Sequence, residues 1–247
     1  MLAQLKNGKN IMNLLPDRNL FIVTSALKPT VGVINENDRF TQTIDTLKSL
    51  RFHVPDAILL FSDGSPNEVE QEKYQEIAKY VNGILPWNLD DDIQRLGREG
   101  AKSLTEAVMM LKMLIALKQN PELAKMMSEV KRIFKYSART ILHDEFRIEE
   151  YDNLFGKYVF KKRIPTWMSD QRKEIADHLY ITRMFSFCPS LIDNYIMVLQ
   201  DVIQKIQQYG LDTEHAHFCA IDKKYVIEFD KLHCQGIMAQ NGAIEDY

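Results

Sequence analysis

Several short groups in this chain have residue types and spacing suited to chemistry. Asp63 ends the apolar run Asp56-Ala-Ile-Leu-Leu-Phe-Ser-Asp63 and begins Asp63-Gly-Ser-Pro66. A carboxylate there stands at the carboxyl edge of a strand, where open α/β sheets bind ligands; Asp-Gly-Ser-Pro is equally ordinary turn chemistry. Gly100 and Lys102 precede a long apolar run. A lysine beside free N–H groups at a helix amino end makes a phosphate seat, although the GxxxxGK[ST] spacing of a P-loop is absent. Asp90-Asp-Asp92 reads chiefly as the cap of a short helix, with ligation of a hard cation as the alternative. His215, His217 and Cys219 would share one face of an extended segment and could hold zinc there, but a helix would scatter them.

These groups need a sheet to position them. Residues 19–26 and 56–63 are nearly continuous apolar runs, as strands covered on both faces are. Between them Phe40, Ile44, Leu47 and Leu50 mark one face of a helix that Asn37 or Asp38 would cap, giving a βαβ unit. Residues 67–82 read as a polar helix with Val69, Ile77, Tyr80 and Val81 inward, and 82–87 as a short third strand. The spacing predicts a helix over 100–117 that buries Leu104, Val108, Leu111 and Ile115, with Ser103 as cap. Strands over 132–142 and 182–187 follow, the latter on the acceptor side, then a helix on Leu191, Tyr195, Leu199, Val202 and Ile206. Methionines 109, 110, 113, 126 and 127 read as core and helix contacts.

Composition narrows the function classes. A chain of 247 residues that is 45% apolar can bury a sizeable core. Its net charge of −3 and pI of about 6.1 do not suit a general polyanion binder. Lys161-Lys-Arg163 is more simply a solvated face than a phosphate contact. Three cysteines without a CxxC pair fit a reduced, cytoplasmic protein. No apolar run approaches a membrane span, and the amino end lacks the apolar core of a signal peptide.

The order of parts, together with Lys135-x-Ser137-x-Arg139, resembles the nucleotide-sugar transferases of the GT-A fold. More narrowly, it is similar to glycosyltransferase-like proteins of surface-polysaccharide and viral origin that carry Lys-[Ser/Thr]-Gly-Arg-Tyr at this strand. The resemblance implies an α/β, mostly parallel GT-A-like sheet flanked by helices, with a C-terminal acceptor-side extension. It implies one domain over 1–247, with a nucleotide-binding half at about 19–142 and an acceptor half at about 143–247. The implied reaction moves a sugar from a nucleotide-sugar donor to a glycan or other acceptor hydroxyl.

On that resemblance Thr24, Ser25 and Ala26 would line the nucleoside pocket and Asp63 would contact the base. Gly100, Lys102, Ser137 and Glu106 would sit near the sugar or diphosphate. Most GT-A enzymes place Asp-x-Asp, which holds a divalent cation, where this chain has Ser137-Ala138-Arg139. Either Arg139 neutralises the phosphates and no metal is required, or a metal such as manganese is held elsewhere. Glu214, at a late helix start, would be the base of an inverting reaction or simply an acid at a helix end. His233, in a His-x-x-Gly segment similar to that of glycogenin-like transferases, would contact diphosphate or metal. Trp87 and Trp167 would stack on sugar or base, or pack. Other readings are a nucleotidyltransferase, a non-catalytic nucleotide-sugar or glycan-binding module, and an enzyme glycosylating hydroxymethylated DNA, with Lys161–Arg163 on phosphates.

Overall fold

The computed structural model describes residues 17–30, 32–237 and 242–247. The two apolar runs become β1 (Arg18–Ser25) and β2 (Ile58–Asp63), parallel and in register from Leu20 opposite Ile58 to Ser25 opposite Asp63. Between them α1 (Glu36–His53) buries Ile44, Leu47 and Leu50 of the face its spacing predicts, while Phe40 is half-buried. Its cap is Asn35 rather than Asn37 or Asp38: the Asn35 side chain accepts from the Asp38 backbone N–H at 2.9 Å. Asp38 instead occupies the first turn, where the helix dipole favours an acid.

α2 (Gln71–Ala78) buries Ile77, and β3 (Gly83–Pro86) pairs parallel with β2. α3 (Asp91–Arg98) is capped by Asp90, and Lys112 lies 2.6 Å from the Asp90 carboxylate and 3.1 Å from that of Asp92. The triple acid is therefore a cap neutralised by a lysine, not a cation site. α4 (Lys102–Gln119) buries Thr105, Ala107, Met109, Met110, Met113, Leu114 and Leu117, while Leu104, Val108, Leu111 and Ile115 are only half-buried. This run is apolar around most of its circumference, so periodicity does not select its inner face. Packing selects the methionines, whose unbranched side chains fill irregular gaps. Ala101, not Ser103, holds the cap position and supplies no side-chain bond.

After α5 (Pro121–Met127), the strand expected over 132–142 is two strands. β4 (Val130–Ser137) runs parallel to β1 with Ser137 opposite Thr24, and β5 (Thr140–Leu142) joins a second sheet. The chain changes sheet at Ala138-Arg139. Then come β6 (Tyr158–Lys161), β7 (Ile164–Pro165), α6 (Arg172–Ile175), β8 (His178–Leu179) and β9 (Met184–Phe187). α7 (Ile192–Tyr209), α8 (Thr213–Ala220), β10 (Val226–Phe229), β11 (Cys234–Ile237) and β12 (Ile244–Asp246) follow.

The main sheet has the order β10-β6-β9-β4-β1-β2-β3 and is parallel except for β9, which runs antiparallel between β4 and β6. β9, expected at the acceptor side, therefore lies inside the sheet. β12, β11 and β5 form the smaller antiparallel sheet. Side-chain alternation along β1 feeds two cores: Leu20 and Ile22 pack with α4 and α7, Phe21 and Val23 with α1. Among the described residues no helix is long and apolar enough to cross a membrane.

Candidate active site

A solvent-open cleft lies at the carboxyl edge of the parallel strands. Thr24 and Ser25 reach it from the end of β1, with Ala26 just beyond; Ser137 comes from the end of β4 and Arg139 from the change of sheet. Gly100, Lys102, Thr105 and Glu106 contribute the start of α4, and Arg39 comes from the start of α1. Thr24, Ser25, Ala26, Gly100, Lys102, Ser137 and Arg139, dispersed over more than a hundred positions of sequence, thus share one cavity.

Two carbonyl and carboxylate contacts organise its charges. The Arg139 and Arg183 guanidiniums both donate to the Ile237 carbonyl, at 2.8 and 3.1 Å. Gly236 allows this approach, because a Cβ there would meet Tyr247 at 3.0 Å and the Arg183 side chain at 3.3 Å. On the opposite side, Glu106 is ion-paired at 2.5 Å with Lys135, which also donates to the Thr182 carbonyl at 2.8 Å. Burial alone would raise the Glu106 pKa, but Lys135, Lys102 and Arg139 together hold it down at about 2. Lys102 opens to solvent at the cleft, yet partial desolvation and then Arg139 lower its pKa. Burial, then Arg183, brings Arg139 down to about 10.

Glu214 lies in the first turn of α8, half-buried, and accepts from the Thr182 hydroxyl at 3.1 Å. The neighbouring Thr213 hydroxyl reaches the Ser103 carbonyl at 3.5 Å, which ties the start of α8 to the start of α4. Glu214 is within electrostatic range of Lys102 and Arg139. Burial, then Asp212 and Glu106, raises its pKa.

Other expected site residues are placed elsewhere. Asp63 is fully buried, with Oδ1 accepting from Leu27 N, Ser65 N and Ser65 Oγ and Oδ2 accepting from Tyr74 at 2.6 Å. Fully buried and not among the cleft-lining residues, its carboxylate is not presented to a base there; it fixes the two loops that carry Ala26 and Gly64 to the cleft. His233 adopts φ 53° before β11, and its carbonyl accepts from His143 N. It precedes the amino end of β11 (Cys234–Ile237), whereas the carbonyl that Arg139 and Arg183 share belongs to Ile237 at the other end. Lys162 and Arg163 are paired with Asp230 and Glu228, and Lys161 donates to the Asp246 carbonyl. α8 scatters the proposed zinc ligands: His215 contacts Asp212 and Thr166, while His217 contacts the Thr213 carbonyl and Tyr195. Trp87 donates to Ser62, and Trp167 packs edge-on against His215.

This architecture matches solved glycosyltransferase structures. The mannosyltransferase Ktr4p from S. cerevisiae matches with a TM-score of 0.53 at 12% identity, over 86% of this chain and 69% of that one. The galactosyltransferase LgtC, in complex with donor and acceptor sugar analogues, matches with a TM-score of 0.51 at 10% identity, over 85% and 72%. The chain has a GT-A-like fold. No protein-family model matches it, and a sequence search of curated proteins finds no match.

The end of β4 and the change of sheet supply a hydroxyl, from Ser137, and a guanidinium, from Arg139, to the cleft. Among the described residues no three His, Cys, Asp or Glu are grouped to hold a metal. The cleft donors do not fit a divalent cation: Glu106 is already paired with Lys135, and Arg39, Lys102 and Arg139, with Arg183 beside Arg139 on the Ile237 carbonyl, would repel the ion. Arg39 and Arg183 were not singled out by sequence. Each is a lone arginine in an otherwise ordinary element, and only the tertiary fold brings them together.

Proposed function

We infer that this protein is a glycosyltransferase that uses a nucleotide-sugar donor. The observation that carries this reading is the cationic cleft at the carboxyl edge of a GT-A-like sheet, with Lys102, Ser137 and Arg139 in one cavity. Thr24, Ser25 and Ala26 line the nucleoside end. Lys102 and Arg139 hold the diphosphate, Arg139 through the fork geometry that suits phosphate oxygens.

In the reaction, an acceptor hydroxyl attacks the anomeric carbon and forms the new C–O bond. The bond from that carbon to the phosphate oxygen breaks, and its electron pair leaves with the nucleoside diphosphate. Lys102 and Arg139 stabilise that growing charge. Glu214 takes the acceptor proton in an inverting reaction, and its raised pKa makes it a better base than an ordinary carboxylate. The segment after about residue 143 supplies the acceptor side, and the whole chain acts as one catalytic domain. A glycan hydroxyl is the acceptor; pairing of Lys162 and Arg163 with acids removes the basic patch a DNA acceptor would need. Three free cysteines suit a reducing cytoplasm.

The test is a thermal-shift panel of uridine, guanosine, cytidine and thymidine diphosphates and their sugar conjugates. A ligand that binds only the folded chain raises its melting temperature by mass action. Selective stabilisation by one nucleotide sugar, with release of the nucleoside diphosphate on adding acceptor, is expected. Binding without turnover would leave a binding module, pyrophosphate release would indicate a nucleotidyltransferase, and no stabilisation would remove the nucleotide-sugar reading.

A further inference from the structure

Of the cations lining the cleft, Arg39 is the one that is buried and still has a donor the fold leaves unanswered. It is 6% exposed, and its Nε is buried without a hydrogen-bond partner. Arg132 shows what a structural buried arginine does in this same protein. At 3% exposure it donates to the Ser186 hydroxyl and to the Leu154 and Lys157 carbonyls, so all three of its nitrogens are engaged. Arg39 has no such set, and its electrostatic neighbours Arg139 and Arg183 are themselves cations. Burial and those two neighbours bring its pKa to about 9, still charged at neutral pH. Leaving a charged donor buried and unpaired is costly, and no hydrogen bond offsets that cost at the Arg39 Nε.

The charge balance of the whole cluster points the same way. The charged residues lining the cleft are Arg39, Lys102 and Arg139 against Glu106, whose charge Lys135 already pairs, and Arg183 shares the Ile237 carbonyl with Arg139, so the wall is net positive. A diphosphate esterified at both ends carries roughly two negative charges, and about three once the sugar leaves, because the new terminal phosphate ionises a second time near pH 6. A net positive wall is favoured more strongly by the leaving group than by the bound donor as the phosphate charge grows, which is the condition for accelerating departure.

We propose that Arg39 binds the donor diphosphate directly and that Arg39, Lys102, Arg139 and Arg183 together replace a divalent cation, so that donor binding needs no metal. This rests on the glycosyltransferase reading above. It adds a diphosphate ligand invisible in the sequence and commits the site to metal-free charge neutralisation.

The experiment is titration calorimetry of uridine, guanosine, cytidine and thymidine mono- and diphosphates against the full chain, in EDTA and in manganese. Wild type, Arg39→Met and Arg39→Lys are compared, with the melting temperature of each unliganded protein. Diphosphate binding in EDTA is expected for wild type. Arg39→Met should weaken it by roughly 10- to 100-fold, the loss of a charge-assisted hydrogen bond, and Arg39→Lys should recover part of the loss. Monophosphate affinity should fall less. The unliganded Arg39→Met protein should melt no lower than wild type, whereas a structural arginine would cost stability. Wild-type binding that requires manganese, or diphosphate affinity unchanged in Arg39→Met, overturns the proposal and leaves the glycosyltransferase reading standing. No binding of any nucleotide in either condition removes both.

Discussion

Glu214 and Glu106 are both carboxylates beside Lys102 and Arg139, yet their surroundings drive them apart. Lys135 stands 2.5 Å from Glu106 and keeps it ionised, whereas burial, Asp212 and Glu106 itself disfavour the charge on Glu214. If Glu214 is the base, the transfer rate should rise with pH as it ionises, with the acid limb displaced above the ordinary value of 4.5. Glu214→Gln should lower kcat by roughly 10²–10⁴-fold and erase that limb in a pH–rate profile. The stability sign is opposite for the two residues. A raised folded pKa makes the Glu214 contribution complete below its unfolded pKa and lost as pH rises through the folded one; Glu214→Gln should therefore not lower the melting temperature at neutral pH. The depressed Glu106 pKa gives a contribution present above 4.5 and lost as pH falls through about 2. Legibility at this scale follows local context. Lys102 stands out because it precedes an apolar run, and Arg139 because it replaces an acidic motif. Arg39 offers no such signal, since a lone arginine near a helix start is usual on a solvated face.

At the level of elements, the loop after β2 is shaped by what Asp63 accepts. Its carboxylate joins Leu27, Ser65 and Tyr74, and so couples the loop after β1 to the loop after β2. Asp63→Asn would turn one oxygen into an NH₂ facing donors. It should cost about 1–3 kcal/mol in chemical denaturation and weaken nucleotide binding, although Asp63 does not touch the ligand. The turn character of Asp63-Gly-Ser-Pro66 and the strand before it are both readable in sequence; that the carboxylate turns inward is not, because its partners Leu27 and Tyr74 come from other elements. The same limit governs β4 and β5. Residues 132–142 have continuous strand character, and the break at Ala138-Arg139 comes from the second sheet, where Gly236 pairs with Thr140. For α4 the apolar run shows a helix, while its buried face is decided by the sheet and α7.

Across the whole molecule, one sheet takes β1 to β4 from the first half of the chain and β6, β9 and β10 from the second. Phe160 sits within it, stacked on Tyr180 and on Phe185 with ring centroids 4.7 Å away in each case. Phe160→Ala should cost about 3–5 kcal/mol. At roughly 2–4 °C per kcal/mol for a chain of this size, the melting temperature should drop by about 6–20 °C in a scanning experiment. The transition should stay single, because strands from both halves share the sheet; separate transitions would show that the halves unfold independently. The parallel first half was legible from its apolar runs and helical spacing. The antiparallel insertion of β9 was not, since a four-residue apolar strand carries no signal of its direction or neighbours.

The most direct test of nucleotide-sugar chemistry in this cleft is the release of nucleoside diphosphate from the donor chosen by thermal shift, followed with acceptor present for wild type and Arg139→Ala. The expected result is steady diphosphate release with transfer of the sugar, reduced by roughly 10²–10³-fold in Arg139→Ala, as for loss of one preorganised donor to developing charge. The variant should keep the wild-type melting temperature to within a few degrees. Equal release by both proteins, or pyrophosphate in place of nucleoside diphosphate, would contradict it.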